Sequence, residues 1–343
     1  MEYKRAYGVD LGWLSQLESQ GIKWVDQDKK ETDPIEAVKN MGADSVRLRI
    51  FVNPPKDGYW MKGGVTSCML GFCDAESVLK VSERVHKAGM RLMIDFHYSD
   101  HFADPEYQDI PEEWKEDSAE QLSGRIYQHT KDVLGLLTRH GITPEWVQVG
   151  NEINQGMLWP IGRREKNPEH MVTFFNAGYE AVKECCPNSQ VIAHISGVSH
   201  REYCDPFLET FFSLGGKTDI LGFSYYPFWY DALDEKKEKK PAALFYNPLT
   251  YYAEKYGKPV MICEVGGPET DEEGTYQLLI NTMEAVRQVP DHMGLGIFYW
   301  EPEVGAAVLP DSYPLGAAIA LDQTTIQFTK ALSAYRDFEE RYE

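Results

Sequence analysis

The 343-residue chain carries 54 acidic against 34 basic residues, a formal net charge of −20, and is 43% hydrophobic and 26% charged. That is the composition of a folded globular protein with ample material for a core, which excludes a disordered chain. Its negative field repels polyphosphates and anionic lipid, which argues against nucleic acid or a membrane as partner.

In chain order, short apolar runs mark candidate strands at 6–10, 44–50, 91–96, 146–150, 191–195, 220–224, 259–264 and 295–300. Most are apolar throughout, as strands buried on both faces of a parallel sheet are. Between them lie helix signals. Asp33-Pro34 supplies a cap and a first-turn proline for a helix over 34–41 ending at Gly42; Asp74 precedes Val78, Val81 and Val85 and a stop at Gly89; Asn167-Pro168 opens a helix with Val172, Phe175, Tyr179 and Val182 on one face. Eight alternations of strand and helix predict a closed (β/α)8 barrel, and barrels longer than about 250 residues are routinely one domain, so 1–343 reads as a single domain. A doubly wound open sheet is the alternative, but GVDLGW after the first strand lacks its Gly-rich phosphate turn. The charged run 231–240 reads as a solvated helix face or loop.

Extra length follows the second strand (53–73) and the third (97–116), with Trp60 and Trp114 inside it. In a barrel these loops lie on the C-terminal face, where sites are built, and they are expected to shape an open groove. The chain holds 8 Trp and 20 Tyr, the flat rings that stack on sugar faces. Six cysteines without C-x-x-C spacing predict free thiols. The start MEYKRAYGVD has no apolar leader core, leaving localisation open: cytoplasmic as it stands, secreted if a leader was removed.

Two candidate strands end in a carboxylate, VQVGNE at Glu152 and PVMICE at Glu264. An acid just past an apolar strand is costly unless paired or used. Strands four and seven lie on opposite sides of a barrel mouth, so the two acids are placed to face each other across a bound chain. That is what glycoside hydrolysis needs: one carboxylic acid to protonate the leaving oxygen and one carboxylate at the anomeric carbon. His97 and His101 with Asp95, Asp100 and Asp104 do not make a metal site, because H-x-x-x-H shares a face only on a helix and this stretch leaves a strand. Neither metal nor cofactor is expected.

The segments FHYSDHFADP (96–105), VQVGNEINQGMLWP (147–160), GFSYYPFW (222–229) and GIFYWEP (296–302), in that order after GVDLGWL, resemble the signature segments of glycoside hydrolase family 53, the endo-β-1,4-galactanases. The resemblance spans nearly the whole chain. It implies a retaining endo-hydrolase of β-1,4-galactan, the side chains of pectic arabinogalactan, with Glu152 as acid/base, Glu264 as nucleophile and Asn151 on the sugar 2-hydroxyl. Arg47 or Arg49, only one of which is expected to face the interior, would hold the nucleophile ionised. His97 would line the site, Tyr225 would hydrogen-bond the nucleophile, Trp300 and Trp159 are candidate sugar platforms, and Asp100 and Trp229 are further substrate contacts. Trp13, Trp24 and Trp146 are assigned to packing. The chain departs from the family pattern at Phe102, where Trp is usual, and at Val265-Gly266-Gly267, where Thr-Ala-Tyr is usual, which bears on chain-length or linkage preference. The implied partner is β-1,4-galactan or its oligosaccharides, taken up by a monomer. The alternatives are a related enzyme acting on mannan, xylan or glucan, and a barrel that binds glycan without cutting it.

Overall fold

The computed structural model describes residues 4–229 and 243–342, so the charged run 231–240 lies outside the described residues. Its parallel strands are β1 (Ala6–Asp10), β2 (Ser45–Ile50), β3 (Arg91–Phe96), β4 (Trp146–Val149), β5 (Gln190–Ile195), β6 (Ile220–Tyr225), β7 (Val260–Val265) and β8 (Gly294–Tyr299). They close in the order β1-β8-β7-β6-β5-β4-β3-β2, so β1 pairs with both β2 and β8. Each lies within a residue or two of its predicted run.

The helices α1 (Pro34–Asn40), α2 (Ala75–Lys87), α3 (Ala119–Arg139), α4 (Pro168–Cys185), α5 (Arg201–Ser213), α6 (Ala243–Tyr256), α7 (Glu272–Arg287) and α8 (Ala334–Tyr342) follow the strands around the outside. Local chemistry sets their ends. Asp33 Oδ1 accepts from the Ile35 and Glu36 amides at 2.8 and 3.3 Å, and Asp74 caps Ser77 at 2.8 Å, satisfying donors that a helix start leaves unpaired. Asn167 also precedes its helix, but its side chain makes no capping bond. Among the described residues no helix is long and apolar enough to cross a membrane, and all six cysteines are free.

The period-two alternation of a strand divides the barrel interior into two layers. Ala6, Met93, Trp146, Ile192, Ile220, Met261, Leu295 and Phe298 form an apolar plug at one end. Gly8 leaves room for it, since a Cβ there would meet the Phe298 ring at 2.2 Å. Further along the same inward stripes come Asp10, Arg47, Asp95, Gln148, His194 and Ser224, all buried and polar. The barrel is thus dry at its base and charged toward its mouth.

The 53–73 insertion folds into a hairpin, Tyr59–Lys62 against Thr66–Met69, turned by Gly63 and Gly64 at φ 60° and 75°. A second sheet lies beside the barrel: Ala318–Ala320, Thr325–Phe328, Lys23–Val25 and Glu31–Thr32, with the middle two parallel.

Candidate active site

Arg47 organises the polar layer. Its guanidinium reaches Asp10 at 2.8 Å, Asp95 at 2.8 Å, Glu264 at 3.0 Å and the Asn151 side-chain oxygen at 2.9 Å, so β1, β2, β3, β4 and β7 converge on one cation. A fully buried guanidinium is tolerable only with its donors matched to anions in this way. Residues two apart on a strand share a face, so the expectation that one of Arg47 and Arg49 turns outward fails. Both point inward. Arg49 sits one step further toward the mouth, paired with Glu301 and lying over the rings of Trp13 and Phe102 at 5.1 and 4.8 Å, away from Glu264.

Glu264 is 6% exposed. Its second oxygen accepts a hydrogen bond at 3.0 Å from the Tyr226 hydroxyl, not from Tyr225 as expected. The same alternation explains the shift: Ser224 and Tyr226 face inward, and Tyr225 between them packs against the outer core. A bulge in β7 sets Ser224 opposite Glu264, with Cys263 as the extra residue. Burial and then the charge of Glu264 push the Tyr226 phenol well up, so it remains a donor.

Glu152 adopts φ 47°, ψ 50°, a left-handed conformation that costs a residue with a Cβ about 1–3 kcal/mol and marks a functional hypothesis. Its Oε1 lies 2.6 Å from Ser224 Oγ, a contact that needs one hydrogen between the two oxygens. The two acids have unequal surroundings. Burial, then the charge of Glu264, raises Glu152 well above the ordinary carboxyl value. Burial also raises Glu264, as does the charge of Asp95, but Arg47 and the Tyr226 hydroxyl keep its rise smaller than that of Glu152, so Glu152 holds the proton of the pair.

Asn151 Oδ1 is engaged by Arg47, Gln148 and His194 while Nδ2 donates to Ala103 O at 2.8 Å. His97 lines the groove, but through carbon: the Ala103 amide donates to Nδ1 at 2.9 Å, and Nε2 donates to Asp95 at 2.8 Å. Both ring nitrogens are therefore occupied.

The mouth opens into a cleft of about 700 Å³. It runs from Trp60 and Lys62 on the hairpin after β2 to Tyr203 and Trp229 beyond β5 and β6. Trp300 forms the floor, packed on Trp13 at 5.2 Å and Tyr313 at 4.8 Å. Trp229 stands 40% exposed over the groove. Three expectations fail here. Trp159 does not line the cleft; Arg163 covers its ring at 4.5 Å and its Nε1 donates to Gln155 O. Asp100 instead binds the Asn53 and Glu112 amides at 2.9 and 2.8 Å, joining the two long loops. Trp114 is buried against His129. Conversely Trp13, assigned to packing, both packs and edges the cleft. His101 stacks on Trp60 with centroids 4.0 Å apart and pairs with Asp109.

Under Trp13 lie two buried acids. Glu301 Oε2 accepts from the Gly12 and Trp13 amides, and Glu303 Oε1 from the Trp13 amide at 3.1 Å. Burial pushes Glu303 from 4.5 up to about 8. A carboxyl raised on folding contributes stability that is complete below its unfolded value and is lost as pH rises through its folded one. Wild-type stability should therefore fall relative to Glu303→Gln between about pH 5 and about pH 8, by up to about 1.4 kcal/mol per pH unit. Urea unfolding of both proteins at several pH values checks this. A difference independent of pH contradicts it.

Sequence reasoning passed over Asp10, Gln148, His194, Ser224 and Tyr226, and weighed Asp95 only as a metal ligand. Most had a readable signal, a polar residue inside an otherwise apolar strand, which burial makes costly unless it is paired.

Comparison with known proteins agrees with this geometry. The model of glycosyl hydrolase family 53 matches residues 6–335. An endo-beta-1,4-galactanase of Bacillus subtilis is 29% identical over 316 residues, 86% of this chain and 69% of that protein. The arabinogalactan endo-beta-1,4-galactanase A of Aspergillus niger is 28% identical over 358 residues, 96% of this chain and 94% of that one. Among solved structures, the family 53 catalytic domain of Ignisphaera aggregans superposes with a TM-score of 0.82 at 24% identity, covering 96% of this chain and 95% of that one. A (β/α)8 barrel that gathers two unequal carboxyls at its mouth and matches this model over nearly its full length belongs to glycosyl hydrolase family 53.

Proposed function

We propose that the chain cuts β-1,4-galactan internally with retention of configuration, Glu264 attacking the anomeric carbon and Glu152 serving first as acid and then as base. The observation that carries this reading is the division of partners at the barrel mouth. Arg47 and Tyr226 favour the anion of Glu264, as a nucleophile requires, while Glu152 contacts a serine, lies under the negative charge of Glu264 and keeps its proton. Ser224 supports a short span between the acids, since it touches Glu152 and sits opposite Glu264 in register. Retaining enzymes hold such a pair about 5–5.5 Å apart, too close for an intervening water. Trp229, Trp300 and Trp60 are the surfaces on which successive sugars stack, and the galactanases named among the relatives favour galactan as the chain.

The cleft extends to either side of the acids, which favours an internal cut. Pectic galactan should yield mixed oligosaccharides at the earliest times, and proton NMR of fresh product should show the β-anomer first. Monosaccharide released alone from chain ends argues against the internal cut, and an initial α-anomer argues against retention. Faster turnover of mannan, xylan or glucan overturns the substrate.

A further inference from the structure

His194 lies wholly inside the barrel, on β5, in a line of four contacts that ends on Glu152. Its Nδ1 is 2.9 Å from Asn151 Oδ1 and 2.9 Å from Gln148 Nε2; its Nε2 is 2.9 Å from Ser224 Oγ; and Ser224 Oγ is 2.6 Å from Glu152 Oε1. The neighbouring amides leave no freedom in this line. Gln148 Oε1 takes Arg47 Nε and its nitrogen donates to Asp95; Asn151 Oδ1 takes Arg47, and Asn151 Nδ2 donates to Ala103. Asn151 therefore presents a lone pair to Nδ1. If Nδ1 were bare, two acceptors would face each other at 2.9 Å. Gln148, by contrast, loses nothing when Nδ1 carries the proton, because its N–H also reaches Asn151 Oδ1 at 3.0 Å.

With the proton on Nδ1, the neutral ring offers a lone pair at Nε2, and the single Ser224 hydrogen turns toward it. Ser224 Oγ then faces Glu152 Oε1 as an acceptor, and a 2.6 Å contact between two oxygens needs one hydrogen between them. We infer that His194 is a positioning residue that, through Ser224, stabilises the protonated form of Glu152. This rests on Glu152 being the acid/base. The network has three ways to accommodate an ionised Glu152, and each costs. The Ser224 hydrogen turns to Glu152 and leaves Nε2 facing a second acceptor at 2.9 Å, or the proton moves through Ser224 onto Nε2, creating an imidazolium beside Arg47, or the ring changes tautomer and sets bare Nδ1 against Asn151 Oδ1. The charged and titratable groups around the line are Arg47 from β2, Asp95 from β3, His97 and Asp104 from the following loop, and Glu264 from β7. Of these, Arg47 and His97 oppose a charge on the ring and Asp95 favours it, with burial the largest opposing influence.

The sign of one shift tests the inference. If Ser224 were an ordinary donor to the Glu152 carboxylate, its removal would make the anion less stable and move the alkaline limb of kcat/KM, which reports the free acid, to higher pH. Under the inferred arrangement Ser224→Ala moves that limb down, by about one pH unit, or about tenfold in kcat/KM beyond the limb. A limb that stays or rises overturns the inference. Nitrogen-15 NMR of the wild-type enzyme, with the signal assigned by its loss in His194→Gln, needs no active variant. It should show the proton on Nδ1 at the pH of activity; a proton on Nε2 overturns the inference. Azide rescue of Glu152→Ala reports on the acid/base reading alone. Rescue with a rising limb removes only the His194 relay, and failure of rescue removes the reading on which it rests.

Discussion

Glu264→Ala should reduce hydrolysis of galactan by about 10⁴- to 10⁶-fold, the scale on which loss of a nucleophile removes the chemical step while binding survives. Binding survives because the aromatic floor formed by Trp300 and Trp13 does not depend on the carboxylate. Galacto-oligosaccharide affinity, measured by calorimetry, should therefore stay within a few-fold of the wild type. The variant also frees Arg47 from one of its three anions without unburying it, since Asp10 and Asp95 remain at 2.8 Å. Activity within about tenfold of wild type would show that Glu264 is not the attacking group.

Glu152→Ala should separate the two halves of the reaction. On galactan, whose leaving sugar needs a proton, the loss should again be several orders of magnitude, comparable to removal of a general acid and base together. On an aryl β-galacto-oligosaccharide with a good leaving group the first step needs no acid and is spared, so the glycosylated Glu264 accumulates and a burst appears. Water then lacks its base, whereas azide needs none. Added azide should accelerate turnover and give the β-glycosyl azide, formed by a second inversion at the same carbon. An α-azide, or no response to azide with either substrate, contradicts the roles assigned to both glutamates.

The barrel was legible in the sequence because buried parallel strands are apolar throughout and their helices carry their own caps; Asp33 and Asp74 mark helix starts that the structure keeps. Glu152 and Glu264 stood out for the opposite reason, as charges at the ends of apolar runs. The local register was harder to read. Tyr225 and Tyr226 are adjacent and chemically identical, and only the alternation carried through Ser224 decides which hydroxyl meets Glu264. Arg47 and Arg49 share a face, and what separates them is height along the barrel, fixed by partners as remote in sequence as Asp95 and Glu301. Trp159 and Asp100 lie in segments that resemble the family's signatures, yet a motif does not say whether a side chain turns to the cleft or to a neighbouring loop. His194 belongs to none of the quoted segments, and its partners come from two other strands and the turn after β4.

The barrel closes through segments far apart in sequence. β1 pairs with β8, Lys23–Val25 lies parallel to Thr325–Phe328, and the Tyr335 hydroxyl donates to Gly8 O at 2.7 Å. During synthesis, at about 5–20 residues per second, β1 therefore waits tens of seconds for its last neighbour, β8, to leave the ribosome. Throughout that interval β1 presents one open edge of unpaired amides and carbonyls, of the kind that recruits strands from other chains. For this protein the exposed moment is its birth: chaperone supply and translation speed, more than the stability of the finished barrel, should govern how much of it is recovered intact.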